Sequence, residues 1–343
     1  MLDKITIPVE RLKAGMKIAR EIENKFGTIL INKEVVVTAE IIAKLKVLGI
    51  SQIVIYKEKE NELEQDFEYL KRTYNKEIKV MKKLFNSFKE SKSLEYGELN
   101  SIFSDLSDFD NNKNIVKILS KVREKDEYTY VHSVNVGLLA LMFARWLNLP
   151  EKDIKKLVYG GLLHDIGKSK ISDDILNKRG ELDPAEFEEM KKHPIYGYKL
   201  LKDYQYICSD VSSIVLLHHE RNDGSGYPFK LKAEKIPFMV KIIAIIDTFD
   251  AMTSERVYQN SQAAFEVFKV FEQDSFRKFD IQLLKIFIKN IVHYYQGEKV
   301  VLSNGEKGEI IFINPNHLSQ PIVKIGDKYI DIYNSNLEIV SSG

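Results

Sequence analysis

HHERNDGSGYP, residues 218–228, sets two of the chain's seven histidines side by side, next to an acid and a base, and ends in a glycine-punctuated loop. Adjacent histidines are an odd choice for an ordinary helix end, but they have a purpose where imidazoles converge on a ligand. Working outward, His132, the pair His164-Asp165, His193 and Asp247 complete a set confined to one stretch of the chain. That stretch reads as helix after helix, in segments such as VHSVNVGLLALMFARWL, DIKKLVYGGLLHDIG and PAEFEEMKKHPIYGYKLL. The helical period of their apolar residues predicts an all-helical domain over 107–295.

Imidazole and carboxylate together suit first-row transition metals, and a chain with one cysteine, Cys208, has no thiolate cluster for structural zinc. Seven donors exceed what one open metal site needs and suffice for two ions bridged by a carboxylate. Successive helical side chains diverge by about 100°, so His218 and His219 would reach different parts of such a site. A lone histidine is more often a hydrogen-bonded structural residue, and that is the reading for His293 and His317. The joint occurrence of the others in one helical domain argues against it for them.

The remaining segments differ in pattern. Residues 1–57 mix short alternating runs with one helical segment, TAEIIAKLKVLGI, capped by Thr38 and stopped at Gly49, and read as a small α+β module. Residues 58–106 form a helical linker. Within it Leu63, Phe67, Leu70, Tyr74, Ile78, Met81, Phe85 and Phe88 recur at steps of three and four. That stripe suits a helix laid on a neighbouring domain and equally a homodimer through the 63–88 helix. Residues 296–343 change to period two around an Asn304-Gly305 hairpin signal and read as a small β appendage. The fold class is therefore multidomain and mainly α.

Lys+Arg 51 against Asp+Glu 50 gives a net charge of +1, which offers no global attraction to a nucleic-acid polymer or a membrane. The most apolar run, Val136 to Ala144, is far short of the ~20 residues of a membrane span. MLDKITIPVE has no apolar signal region, and with a single cysteine the expected setting is the cytoplasm.

LLHDIGK (162–168) resembles the signature of the HD metal-dependent phosphohydrolase superfamily, and HHERNDGSGYP that of its HD-GYP branch. HSVNV, ILNKRGELDPAEFEEMKKHPIYG and IIDTFDAMTSERVY follow the family order, so the resemblance spans about Val122 to Gln262. ERLKAGMKIA is similar to a small domain often found ahead of HD-GYP domains. The resemblance implies a metal-dependent phosphodiesterase that hydrolyses cyclic di-GMP to a linear dinucleotide by in-line attack of a metal-bridging hydroxide. It implies a di- or trinuclear metal centre, expected here to hold two divalent ions, Fe or Mn, with His132, His164, Asp165 and Asp247 on one and His193, His218 and His219 on the other, Asp165 bridging.

Lys168 and Arg256 then stand as phosphate-binding cations, with Lys168 and Asp165 the catalytic pair, while Gly224 and Gly226 let Tyr227 approach the ligand. Asp250 would orient a ligand or Arg256, and Asp223 and Arg221 would brace the loop. Two positions depart from the fullest pattern: Tyr128 replaces a glutamate that helps hold a third metal, and Gln259 replaces a basic residue in RVYQ. The other functions open to this sequence are a non-catalytic receptor for cyclic dinucleotides and an HD phosphohydrolase acting on another nucleotide.

Overall fold

The computed structural model describes residues 4–12, 16–23, 29–56, 59–90, 96–109, 115, 118–119, 128–178, 180–255, 264–273, 277–314 and 317–342. The chain divides into two compact units, Met1–Tyr69 and Leu70–Gly343.

In the first unit, β1 (Lys4–Pro8) is followed by the short antiparallel pair β2 (Ile22–Glu23) and β3 (Ile29–Ile31), α1 (Ala39–Val47) and β4 (Gln52–Tyr56), which pairs antiparallel with β1. Thr38 accepts the Ile41 N–H at the start of α1, and Gly49 turns the chain at φ +69° just after it. Val9, Ile18, Leu45 and Ile55 lie at the centre of its apolar core.

α2 (Lys59–Lys89) begins in the first unit and ends in the second. From Leu70 to Phe88 the apolar stripe is buried within the second unit: Leu70, Tyr74, Ile78, Met81, Phe85 and Phe88 are each at most 4% exposed. That burial accounts for the stripe from Leu70 to Phe88 within one chain. Leu63, whose side chain would extend the stripe, lies outside the described side chains.

Then come α3 (Tyr96–Ser107), α4 (Tyr128–Trp146), α5 (Glu151–Leu163), α6 (Asp173–Leu176), α7 (Pro184–Met190), α8 (His193–Leu201), α9 (Ser209–Leu217), α10 (Phe238–Glu255), α11 (Ala264–Gln273) and α12 (Ile281–Ile291). α4 is apolar nearly all round and buried from Val131 to Ala144, as befits a central helix. The stretch PAEFEEMKKHPIYGYKLL makes two helices, because Pro194 suits a first turn and not a helix interior. Among the described residues no helix is long and apolar enough to cross a membrane.

The C-terminal strands β5 (Lys299–Leu302), β6 (Lys307–Asn314), β7 (His317–Ile325), β8 (Lys328–Asp331) and β9 (Ile339–Ser342) form one sheet in the order β8-β7-β6-β5-β9. Gly305, at φ +85°, lies in the turn between β5 and β6. Glu272 on α11 anchors the sheet by accepting from Leu318 N at 3.0 Å and Ser319 Oγ at 2.6 Å.

One charge is buried on α2. Glu77 is 1% exposed and its two carboxyl oxygens accept no hydrogen bond, although Lys76 Nζ stands 3.2 Å away. Burial and the Asp105 carboxyl, against the pull of Lys76, push its pKa up to about 7. The folded chain then keeps a proton that the unfolded chain releases near 4.5. The resulting stability is present below that value and is lost as pH rises through about 7. Glu77→Gln should melt about 2–4 °C above the parent at pH 8, with the gap closing toward pH 5. A gap independent of pH in calorimetric scans would refute this account.

Candidate metal centre

Three helix ends supply three histidines in the same way. His164 follows the last residue of α5, His218 follows the last residue of α9, and His193 comes three residues after Met190, the last of α7. The closing carbonyls of a helix lack intrahelical partners. Here each meets the imidazole three residues on: His164 Nδ1 to Gly161 O at 2.7 Å, His193 Nδ1 to Met190 O at 2.8 Å, His218 Nδ1 to Val215 O at 2.9 Å. An Nδ1–H donated to a carbonyl fixes the tautomer and leaves Nε2 as a lone-pair donor. The fourth imidazole, His132 near the start of α4, is held instead by Asp250, with Nδ1 2.7 Å from Oδ2.

These nitrogens converge on Asp165. Its Oδ2 faces His164 Nε2 at 3.4 Å and His132 Nε2 at 3.8 Å; its Oδ1 faces His193 Nε2 at 3.2 Å and His218 Nε2 at 3.9 Å. Within the two groups, His132 and His164 Nε2 lie 3.1 Å apart and His193 and His218 Nε2 3.2 Å apart. Asp247, on α10, presents Oδ1 to His132 Nε2 at 3.0 Å and Oδ2 to His219 Nδ1 at 3.7 Å. Two donor groups result, Asp165 with His132 and His164, and Asp165 with His193, His218 and His219. One carboxylate is common to both.

The residues fit divalent metal ions on their own terms. Asp165 Oδ1 is buried and accepts no hydrogen bond, and the Nε2 atoms of His164, His193 and His218, whose Nδ1–H groups go to carbonyls, face the carboxylate as lone-pair donors. Burial, then neighbouring imidazoles, hold His218 and His219 well below the ordinary histidine range, in the neutral form that ligation requires. Burial pushes the Asp165 and Asp247 carboxyls up. The Lys168 ammonium beside Asp165 and the His132 hydrogen bond to Asp247 outweigh it, so both stay well below the carboxylate norm. His132 is pushed up to about 10: burial pulls it down, but the two carboxylates it bonds prevail.

Backbone proximity depends on glycine at Gly167. A Cβ there would stand 1.9 Å from His193 O and 2.4 Å from Gly197 N, so no other residue lets the turn 166–170 approach α8 closely enough to set His193 beside Asp165. Gly226 is similar, its hypothetical Cβ lying 2.4 Å from His219 O. Gly224 holds φ +78°. The loop so formed stacks Tyr227 on the His219 ring, with centroids 4.5 Å apart.

Lys168 Nζ sits 2.6 Å from Asp165 Oδ2 at the partly open side of the cluster. Asp223 accepts from Ser225 N and Oγ, and Arg221 bonds the His218 and Glu220 carbonyls and Thr248 Oγ1, so both brace the loop. Tyr128 lies parallel to the His132 ring at 5.8 Å. Arg256 and Gln259 lie outside the described residues.

Two buried partners went unassigned in the sequence. Glu220 accepts the Phe229 and Leu231 N–H groups at 2.6 and 2.8 Å and ties the loop shut. Asn135 donates Nδ2 to Asp250 Oδ1 at 2.8 Å and accepts from Tyr74 OH, so a chain of contacts runs from α2 through Asp250 to His132. The signal for Asn135 was an amide in the otherwise apolar heart of α4.

Residues 113–283 match the family model described as HD domain. The chain is 37% identical over 212 residues to the cyclic di-GMP phosphodiesterase PA4108 of Pseudomonas aeruginosa, covering 62% of this chain and 51% of that protein. It is 37% identical over 190 residues to a cyclic di-GMP phosphodiesterase of Thermotoga maritima, covering 54% and 52%. With the 3'3'-cGAMP-specific phosphodiesterase 1 of Vibrio cholerae it shares 34% identity over 179 residues, covering 51% and 41%. The chain thus spans about half the length of the curated relatives it matches most extensively. Among solved structures, Bd1817, described as an HDG"Y"P protein from Bdellovibrio bacteriovorus, superposes with a TM-score of 0.51 at 18% identity, covering 83% of this chain and 98% of that one. That likeness is one of fold.

If Asp250 sets the His132 ring, Asp250→Asn should weaken Mn(II) binding about 10- to 100-fold while leaving helix content unchanged. Metal titration followed by calorimetry, with circular dichroism alongside, checks this. Parental affinity in the variant would dismiss the orienting role.

Proposed function

We propose that this chain, which belongs to the HD domain family and to its HD-GYP branch, is a metal-dependent phosphodiesterase that opens cyclic di-GMP to a linear dinucleotide. The observation that carries this reading is the shared carboxylate: Asp165 turns one oxygen to each of two imidazole groups. Five imidazoles and two carboxylates suit two ions of the iron or manganese type, with His132, His164, Asp165 and Asp247 holding one and His193, His218 and His219, with Asp165, the other. When bound, such ions activate water for attack on phosphorus and neutralise the charge of the phosphodiester.

The chain's own residues do the rest. Lys168, half in the cluster and half in the opening, brings an ammonium to the phosphoryl oxygens, where charge grows as the new P–O bond forms. Tyr227, packed on His219, forms the wall against which the substrate is positioned, and the Glu220 and Arg221 contacts hold that wall still. Asp250 and Asn135 keep the His132 ring from turning. The polar side chains of the cluster are almost entirely buried apart from His219, which confines the reacting group to the face shared by His219, Tyr227 and Lys168. A cytoplasmic setting belongs to the same reading.

The test is chromatography of cyclic di-GMP, and in parallel of 3'3'-cGAMP, after incubation with protein loaded anaerobically with Fe(II) or Mn(II). Linear dinucleotide should accumulate with the parent and not with His164→Ala/Asp165→Ala. Metal-replete parent protein that leaves both dinucleotides intact would sink the reading and favour a receptor for them or another phosphoester as substrate.

A further inference from the structure

A cavity of about 760 Å³ opens beside the cluster, walled by the last turn of α2, the first turn of α4, the turn 166–170 and α6 with the segment after it. Two of its lining residues touch the metal centre. Lys168 reaches Asp165 Oδ2, and Tyr128 lies flat against the His132 ring. A ligand with one phosphodiester on the cluster therefore has this space for its remainder, and the volume falls within the ordinary range of small-ligand sites.

The lining has a chemistry of its own. Lys89 Nζ bonds both oxygens of Asp173, at 2.8 and 2.7 Å, which sets a carboxylate acceptor and an ammonium donor side by side at the wall. Guanine presents the complement along one edge, two N–H donors beside a carbonyl acceptor. Asn86, three residues before Lys89, adds an amide able to donate and accept. Ser169 lines the same cavity, and its Oγ is buried and has no hydrogen-bond partner. A buried hydroxyl left in that state is costly unless a ligand oxygen or donor meets it.

We infer that this cavity seats the nucleoside half of the cyclic dinucleotide that is not being cleaved, with Asp173, Lys89 and Asn86 reading the guanine edge and Ser169 meeting a ribose or phosphate oxygen. The inference rests on the phosphodiesterase reading above and adds to it residues from α2, which lies wholly before the segment 113–283 that matches the HD domain. Asn86 and Lys89 are then specificity-determining residues supplied from outside that domain.

The test separates this subsite from the catalytic reading. The affinity of the Mn(II)-loaded protein for the bis-phosphorothioate analogue of cyclic di-GMP is measured by calorimetry, together with its rate on bis(p-nitrophenyl) phosphate, an ester without bases. Asp173→Ala and Asn86→Ala should each raise Kd for the analogue about 5- to 30-fold, the loss of one or two hydrogen bonds. Metal content and the rate on the base-free ester should stay at the parental level. Unchanged Kd in both variants, with the parent binding, overturns the subsite whatever the activity. A parent that binds the analogue yet never cleaves cyclic di-GMP overturns the catalytic reading alone, and the variants still decide the subsite. A metal-loaded parent that does not bind overturns both.

Discussion

Asp165 is a carboxylate at 1% exposure among imidazoles that are themselves buried. Taking one charge from water to such a place costs several kcal/mol unless other charges and hydrogen bonds offset it. Much of the architecture around it follows from that requirement. The Lys168 ammonium at 2.6 Å holds the carboxyl ionised, and four imidazole nitrogens stand within 3.9 Å of it. The imidazoles are fixed in turn by carbonyls that helix ends leave over, or by Asp250.

Helix ends make good ligand mounts for a simple reason. A histidine three residues beyond a free carbonyl satisfies a backbone group that needs a partner and, by the same bond, sets its own tautomer and direction. The chain uses this arrangement at α5, α7 and α9, so three of the imidazoles are aimed by backbone that would otherwise lack an intrahelical donor. His132 has no such helix-end carbonyl, because it sits near the start of α4, and it depends on Asp250 instead. That difference explains why His132 draws on a side-chain network reaching Asn135 and Tyr74 while His164, His193 and His218 need only local backbone.

Much of the fold was legible because its signals are local. Thr38 and Gly49 bound α1, the Asn304-Gly305 turn separates β5 from β6, and the apolar run from Val136 to Ala144 belongs to a helix buried on every side. The histidines and aspartates of the cluster stood out because polar residues in apolar helices are expensive and so invite a common explanation. What stayed illegible depends on partners distant in the chain. Glu220 is one more acid in a charged loop until Phe229 and Leu231 turn their N–H groups onto it. Glu77 looks like any solvent-facing acid of a Glu/Lys-rich helix, yet it is buried beside Asp105. The Leu70–Phe88 stripe has a period that fits either a neighbour in the same chain or a second copy, and its burial within the chain shows only in the fold.

The same stripe bears on how the site could be tuned. α2 is continuous from Lys59 to Lys89, and it meets the site's surroundings twice, through the Tyr74 hydroxyl on Asn135 and through the cavity wall at Phe85, Asn86 and Lys89. A helix is stiff along its axis, so a shift of α2 along or about that axis displaces both contacts together. The first contact acts on the direction of His132, and the second on the space beside Lys168. A single rigid element can therefore alter metal geometry and ligand fit in one motion, with its buried apolar face keeping the two in register. Because Glu77 lies on that face between the two contacts, the proton it carries below about pH 7 helps keep α2 seated, and the buried charge it takes on above that pH opposes it.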